Sequence, residues 1–213
     1  SDLNLTIFHL MGQHVNYKQR YRTKQARFWA SSYEDKRPEL TNAQRKMLSH
    51  YDNATLYNDS IVAQIVKRFQ KQDAIVIYVP DHGEECYEEN RGFICRNHSA
   101  EIDWPLAHYE FEIPFWIYCS PKYIRNHRDI YRQIRKAKDK RFMTDALPHL
   151  LLYLAGIETP TYKEEYNILS PKYDEMRPRI LKNSADYDKL RDAHLEKIKK
   201  EESKKVKKKE RRN

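Results

Sequence analysis

The feature that most constrains the fold is a run of apolar, mostly β-branched residues that leads directly into a carboxylate, an imidazole and a glycine. Residues 75–79 read Ile-Val-Ile-Tyr-Val, and after one proline come Asp81, His82 and Gly83. A continuous apolar run of this length predicts a strand that is buried on both faces. Ligands collect just beyond the carboxyl ends of such strands in an open α/β sheet, so Asp81 and His82 stand where a site is expected.

Asp81 and His82 together supply one oxygen donor and one nitrogen donor, a combination that suits zinc. The alternative is that Asp81 caps the following segment and that His82 is an ordinary loop residue. For an isolated Asp-His-Gly triplet, this structural interpretation would be the better one. Gly83 is expected to let the backbone turn sharply beside the pair.

The first apolar segment of the chain also ends in polar residues. Residues 3–10 predict a buried strand, and His9 and His14 lie at its carboxyl end. A lone histidine there is usually a satisfied polar residue. Two of them, after a second strand with the same layout as the first, make a functional role an equal alternative.

An amphipathic helix is predicted over residues 42–70, between the two strands. Its apolar residues recur at spacings of three and four, and a Thr-Asn pair can cap its start. Strand, helix and strand in this order form a βαβ unit with parallel strands. We therefore expect the His14 ring to lie within roughly 10 Å of the His82 ring, with His9 deeper on its strand.

Both histidine-containing motifs resemble segments of the phosphoethanolamine transferases, a branch of the alkaline-phosphatase superfamily that decorates lipid A and other envelope glycans. D-H-G-E at 81–84 is similar to their S-D-H-G-E segment. H-x-M-G-x-H at 9–14, followed by a tyrosine and by R-Y, is similar to H-x-M-G-S-H-G-P-x-Y-x-x-R-Y-P. The chain departs from that pattern at Val15-Asn16 and at Arg22. Residues 109–123, Y-E-F-E-I-P-F-W-I-Y-x-S-P-K-Y, also resemble this branch.

The resemblance implies roles for four residues. Asp81 and His82 would be zinc ligands, and His14 and His98 would contact the phosphoryl group or a second metal. For His98, an ordinary surface histidine is an equal alternative. In the family, a nucleophilic threonine and a carboxylate zinc ligand lie upstream of the H-x-M-G-x-H segment. This chain has no counterpart of either, so we expect little or no turnover from it alone.

The resemblance further implies an α/β fold, the C-terminal half of a sulfatase-like catalytic domain with a mainly parallel sheet flanked by helices. Residues 109–119 predict another strand, and 144–155 predict a helix that ends at Gly156. We assign residues 1–182 to this domain and 183–213 to a basic, charged tail.

The charge of the chain is concentrated in that tail. The formal net charge is +9, and ten Lys or Arg with three Glu give residues 197–213 a charge of +7, which leaves +2 for the rest. Residues 185–213 lack a core-forming stripe, so truncation after Ser184 is expected to leave the melting temperature nearly unchanged. Such a tail can bind nucleic acid or anionic headgroups. The resemblance to an envelope enzyme favours a membrane surface or plain solvation over nucleic acid.

Neither a spanning segment nor a disulfide framework is evident. The sequence has no run of about 18 or more apolar residues and no recognisable signal peptide, and any anchor is expected upstream. The three cysteines are too few for a framework. Cys86 and Cys95 could bridge in an oxidising compartment or remain free thiols.

These observations predict zinc-dependent transfer of phosphoethanolamine from phosphatidylethanolamine to an envelope lipid or glycan, through a phospho-threonine, at the periplasmic face of the inner membrane. A sulfatase or phosphodiesterase of the same superfamily is the alternative enzyme, since the sulfatase nucleophile also lies upstream. The alternative from another class is a non-catalytic binding module with a basic tail, which has no need for zinc at Asp81 and His82.

Overall fold

Helices and short strand pairs alternate along the chain. The computed structural model describes residues 3–97 and 101–210, with side chains described as far as residue 205. The helices are α1 (Asn42–Phe69), α2 (Trp104–Phe111), α3 (Pro121–Asn126), α4 (Arg128–Ala137), α5 (Leu147–Ala155) and α6 (Tyr187–Glu210). The strands are β1 (Ile75–Tyr78), β2 (Glu85–Cys86), β3 (Ile94–Cys95), β4 (Trp116–Cys119), β5 (Ile180–Leu181) and β6 (Ala185–Asp186).

The strands pair as β1 with β4, β2 with β3 and β5 with β6, and each of these pairs is antiparallel. In the first pair Tyr78 lies opposite Trp116, and their rings stack at 5.2 Å. Both strands of this pair are half-buried rather than fully buried. The predicted α/β class is confirmed, but the mainly parallel sheet is wrong for the part of the chain that the structure describes.

The predicted strand over residues 3–10 does not form. This segment has no strand partner among the described residues, and Leu3, Leu5 and Ile7 are 76%, 73% and 80% exposed. An extended segment without a neighbour has no ladder hydrogen bonds, and a strand needs them to be stable. The parallel βαβ unit is therefore absent from the described residues, and β1 pairs with β4 instead.

Helix α1 forms where the sequence predicts it. The Thr41 hydroxyl accepts a hydrogen bond from the Gln44 N–H at 3.2 Å, and the Gln44 side chain accepts one from the Thr41 N–H at 2.8 Å. This reciprocal cap satisfies two donors that a helix start leaves open. Leu48 and Ala54 are buried on the side of the helix that packs against the rest of the protein.

The predicted strand over residues 109–119 begins later than expected. Residues 109–111 belong to α2, because the Asp103 side chain caps that helix and a proline occupies its first turn. The strand starts only at Trp116. Local capping therefore overrides the strand-like alternation of these residues.

The predicted helix near residue 150 is confirmed as a short 3-10 turn followed by α5. Gly156 ends it with a positive φ of 64°, a conformation that favours glycine. Leu150 lies in a core cluster with Ala137 of α4 and with Ile168 and Leu169. The segment just before α5 forms the helices α3 and α4. One side of α4 packs into this core cluster.

The start of the C-terminal tail packs against the domain, contrary to the expectation of a detached segment. Tyr187 is 8% exposed and lies in a cluster with Ala107 and Leu181, and Trp104 stacks on His194 at 5.2 Å. From Leu195 to Lys205 the side chains are exposed. The first two turns of α6 thus belong to the folded unit. The contacts that hold them are too few to produce an apolar stripe in the sequence.

Candidate functional site

Asp81 and His82 follow the carboxyl end of β1 and present their donor atoms to each other. His82 Nε2 lies 3.5 Å from Asp81 Oδ2, with the histidine side chain 17% exposed and the aspartate 86% exposed. His82 Nδ1 donates a hydrogen bond to the Gly83 carbonyl at 2.6 Å. A carbonyl only accepts, so Nδ1 carries the proton of this hydrogen bond.

The separation of these two atoms fits a shared zinc ion. Two ligands about 2.0–2.1 Å from a tetrahedral zinc are about 3.3 Å apart, close to the 3.5 Å between Nε2 and Oδ2. A carbonyl partner on the other ring nitrogen is also the usual support of a metal-bound histidine. Among residues 3–97 and 101–210, however, no three His, Cys, Asp or Glu side chains converge as a metal site. The pair thus fits part of a zinc shell.

Gly83 is required by close approach of another backbone, not by the sharp turn that the sequence suggested. A Cβ at this position would lie 2.2 Å from the Tyr109 carbonyl oxygen. The Gly83 N–H donates to the Glu110 carbonyl at 2.8 Å. The end of α2 therefore fixes the backbone immediately after His82.

Glu84 joins the two sequence motifs. The Tyr17 hydroxyl donates to Glu84 Oε2 at 2.6 Å, across 67 positions of sequence. Burial raises the pKa of the Glu84 carboxyl, while the hydrogen bond from Tyr17 and the nearby His82, His14 and Arg96 partly offset that rise. Both imidazoles therefore lie within electrostatic range of one carboxylate, and the ring-to-ring distance of roughly 10 Å stays a prediction.

The backbone around His14 is well supported while its side chain lies at the surface. The His14 N–H donates to the Met11 carbonyl at 3.1 Å, and its carbonyl accepts from Arg20 Nε at 3.1 Å. Gly12, with a φ of 48°, packs near Asn58 of α1. The loop can therefore present the imidazole from a fixed backbone.

Two further histidines were predicted from the sequence to belong to the site or to support it, His9 and His98. His9 is exposed, so the prediction that it lies deeper is wrong, for the same reason that its strand does not form. His98 lies outside the described residues.

Sequence reasoning missed the carboxylates that hold the loop after Gly83. Glu110 is 2% exposed, and its side chain accepts from the Asn97 N–H at 2.7 Å. Glu85 is completely buried and forms an ion pair with Arg91 at 2.9 Å. Acidic side chains usually face solvent, and only the fold shows that these two are inside.

The cysteines of this loop are free thiols, with Cys86 buried and Cys95 half-buried. The register pairs Cys86 with Ile94 and Cys95 with Glu85. The two thiols thus belong to different cross-strand pairs, and no disulfide links the strands in this arrangement.

Comparison with known proteins identifies the family. The sequence model described as Sulfatase matches residues 3–157, well over half of the chain. The chain belongs to the sulfatase family. This agrees with the α/β fold and with the position of Asp81 and His82 just after β1.

The curated relatives of this sulfatase-family chain include phosphoethanolamine transferases. EptC of Escherichia coli O18:K1:H7 is 32% identical over 174 residues, which cover 80% of this chain and 29% of that protein. Kdo(2)-lipid A phosphoethanolamine 7''-transferase of E. coli K12 is 31% identical over 141 residues, which cover 65% of this chain and 23% of that protein. The chain spans less than a third of the length of these relatives.

Solved structures give the same picture. The C-terminal periplasmic domain of EptC from E. coli, in complex with Zn, matches with a TM-score of 0.68 and 28% identity, covering 85% of this chain and 51% of that one. The corresponding domain from Campylobacter jejuni matches with a TM-score of 0.58 at 23% identity, which supports the fold alone.

Among the described residues, no helix of this chain is long and apolar enough to cross a membrane.

Proposed function

We propose that this chain is part of the catalytic domain of a zinc-dependent phosphoethanolamine transferase. The donor would be phosphatidylethanolamine, and the acceptor a lipid or glycan of the lipid A type on the periplasmic side of the inner membrane. The observation that carries the proposal is the Asp81–His82 pair, with its donor atoms 3.5 Å apart and the ring oriented by a carbonyl. The similarity to curated transferases supports the reaction class.

The residues of the pair would bind zinc in different ways. Bound there, zinc would lower the pKa of an attacking hydroxyl and neutralise charge on phosphoryl oxygens. The exposed Asp81 would contribute a negatively charged oxygen ligand. The mostly buried His82 would contribute Nε2, with its ring oriented by the hydrogen bond from Nδ1 to the Gly83 carbonyl. The other ligands and the nucleophilic threonine would come from the part of the protein that this chain does not span.

Two further histidines of this chain belong to the proposed site. His14 would contact the transferred phosphoryl group or a second metal, from a loop whose backbone Arg20 supports. The same role is proposed for His98 from the loop after Gly83. Glu84 would orient both motifs through its bond to Tyr17.

The test uses the full-length protein that contains this chain. Asp81→Asn and His82→Ala should abolish the addition of phosphoethanolamine to lipid A, measured by mass spectrometry, and should lower the zinc content of the purified protein. His127→Ala is the control, because His127 pairs with Asp73 at the other end of β1. Wild-type zinc content and transfer in both site variants would contradict the proposal.

The same purified protein separates the alternative functions. Hydrolysis of a sulfate ester without transfer from phosphatidylethanolamine would assign it to the sulfatases by activity as well as by family. Absence of zinc together with absence of both activities would favour a binding module. The curated relatives are transferases, which favours phosphoethanolamine transfer over both of these alternatives.

A further inference from the structure

A second basic region lies on α3 and α4, apart from the C-terminal tail. Residues 122–141 contain nine Lys or Arg and two Asp, a net charge of +7. This equals the charge of residues 197–213. Unlike that tail, α4 is packed onto the domain, since Ala137 lies in a core cluster and Tyr153 of α5 donates a hydrogen bond to Gln133 at 2.9 Å.

The cations of α4 point away from the core. Ile134 and Ala137 occupy its packed side. The basic residues are separated by four, three and one positions, a spacing that collects them on the opposite side of a helix. These exposed side chains form what we call the basic face: Arg128, Arg132, Arg135 and Lys136.

Most of the basic face has no acidic partner. Within the described ranges, Arg132 forms an ion pair with Asp129, and none of the other three cations lies within ion-pair distance of a carboxylate. Three of the four side chains are arginines, whose planar fork binds two phosphate oxygens at once. The surface therefore matches a partner that presents many phosphates over an extended area.

The tail carries the same net charge of +7 over residues 197–213 but presents it differently. Residues 196–205 hold five Lys and three Glu, a net charge of +2. Lysine and glutamate are interspersed there, and Lys200 pairs with Glu196 at 3.8 Å. Neighbouring glutamates thus compensate part of the positive charge in residues 196–205, whereas Arg132 alone of the basic face is within ion-pair distance of a described carboxylate.

We propose that the basic face docks on the anionic phosphate headgroups of a lipid bilayer. Cations on one rigid surface act together on an anionic membrane, and their attraction falls off within a Debye length. The similar solved domains are periplasmic, which favours lipid over nucleic acid as the source of phosphates. The proposal does not need the transfer reaction, because its test measures binding alone.

The experiment compares two variants of the 213-residue chain with equal net charge. One is Arg128→Glu, Arg135→Glu and Lys136→Glu, and the matched control is Lys199→Glu, Lys204→Glu and Lys205→Glu on α6. Each set lowers the formal charge from +9 to +3. Co-sedimentation is measured with vesicles of phosphatidylcholine alone and with an equimolar mixture of phosphatidylcholine and phosphatidylglycerol.

The unmodified chain should bind the phosphatidylglycerol vesicles and lose that binding as salt is raised from about 0.1 M to about 1 M, where the Debye length falls from about 10 Å to about 3 Å. The α4 variant should partition at least about tenfold more weakly, while the α6 variant stays within about threefold of the unmodified chain. Equal losses, or a larger loss for the α6 variant, would overturn the proposal.

Two further measurements keep the test decisive. Circular dichroism and thermal unfolding show whether each variant is folded, and glutamine in place of glutamate is the milder substitution if the α4 variant unfolds. Binding to a DNA duplex is measured in parallel. A loss of duplex binding with unchanged vesicle binding would assign the basic face to nucleic acid and overturn the lipid proposal.

Discussion

Tyr17 and Glu84 are 67 positions apart in sequence, and a 2.6 Å hydrogen bond from the tyrosine hydroxyl to the carboxylate joins them. Tyr17 follows His14 by three residues and packs edge-on against Tyr51 of α1, with ring centroids 5.3 Å apart. Glu84 follows His82 by two residues. The contact therefore sets the position of one histidine motif relative to the other.

Replacing Tyr17 by phenylalanine should lower the free energy of unfolding by about 1.5–3 kcal/mol, the usual range for a hydrogen bond to a charged group. The ring and its packing are retained, so the loss reports the hydroxyl and its half-buried carboxylate partner. Urea denaturation measures it. Tyr21→Phe is the control, because its hydroxyl bonds to the neutral ring of His50 and should cost only about 0.5–1.5 kcal/mol. Equally small losses for the two variants would show that the Tyr17–Glu84 hydrogen bond stabilises the fold no more than an ordinary neutral one.

The Gly83→Ala variant should be destabilised by about 3 kcal/mol or more, because backbone cannot yield as a flexible side chain does. The new Cβ would lie 2.2 Å from the Tyr109 carbonyl oxygen. Thermal unfolding of Gly92→Ala provides the comparison. Gly92 has a φ of 69° but no atom within 4 Å of an added Cβ, so only the backbone cost of about 1–2 kcal/mol applies. A Gly83 variant as stable as the Gly92 variant would refute the close approach.

Asp188 should contribute stability that disappears in acid. The hydrogen bond from Arg179, with Arg141 and Arg191 nearby, outweighs burial and lowers the pKa of the Asp188 carboxyl. Because this folded-state pKa lies below the unfolded value of about 3.9, the contribution is fully present above that value and is lost as the pH falls through the folded-state pKa. Asp188→Asn should therefore cost about 1–3 kcal/mol at pH 7 and progressively less below about pH 4.

Denaturation curves across that pH range test the Asp188 prediction. Asp192→Asn is the matched control on the same helix, since Asp192 is 63% exposed and, among the described side chains, forms an ion pair only with the adjacent Arg191. Its effect should stay within about 0.5 kcal/mol at every pH. A pH-independent loss for Asp188→Asn would point to packing rather than charge.

Truncation separates the packed and exposed parts of α6. Ending the chain after Ser184 removes Tyr187 and Asp188, and the melting temperature should fall by roughly 10 °C or more. Losing a buried aromatic costs about 3–5 kcal/mol, and each kcal/mol shifts the melting temperature of a domain of this size by about 2–4 °C. Ending it after Glu196 removes turns of α6 whose side chains are exposed as far as they are described, to residue 205, and should change the melting temperature little. Identical melting temperatures would mean that the whole helix is a detached tail, as the sequence alone suggested.

The features that the sequence determined by itself are those with local causes. Helix α1 starts at a reciprocal Thr41–Gln44 cap, and α5 stops at Gly156, because capping and backbone preference act over a few residues. The family, and the position of Asp81 and His82 after an apolar strand, could also be predicted from the sequence, because both depend on contiguous residues.

What only the tertiary structure decided depends on partners far apart in the chain. Whether residues 3–10 become a strand depends on a neighbour, and their alternation cannot supply one. The choice of β4 as the antiparallel partner of β1, the burial of Glu85 and Glu110, and the Tyr17–Glu84 bond depend in the same way on distant contacts. Residue type indicates which groups can pair, but only the packed chain determines which ones meet, because burial and long-range hydrogen bonds are set by the whole fold.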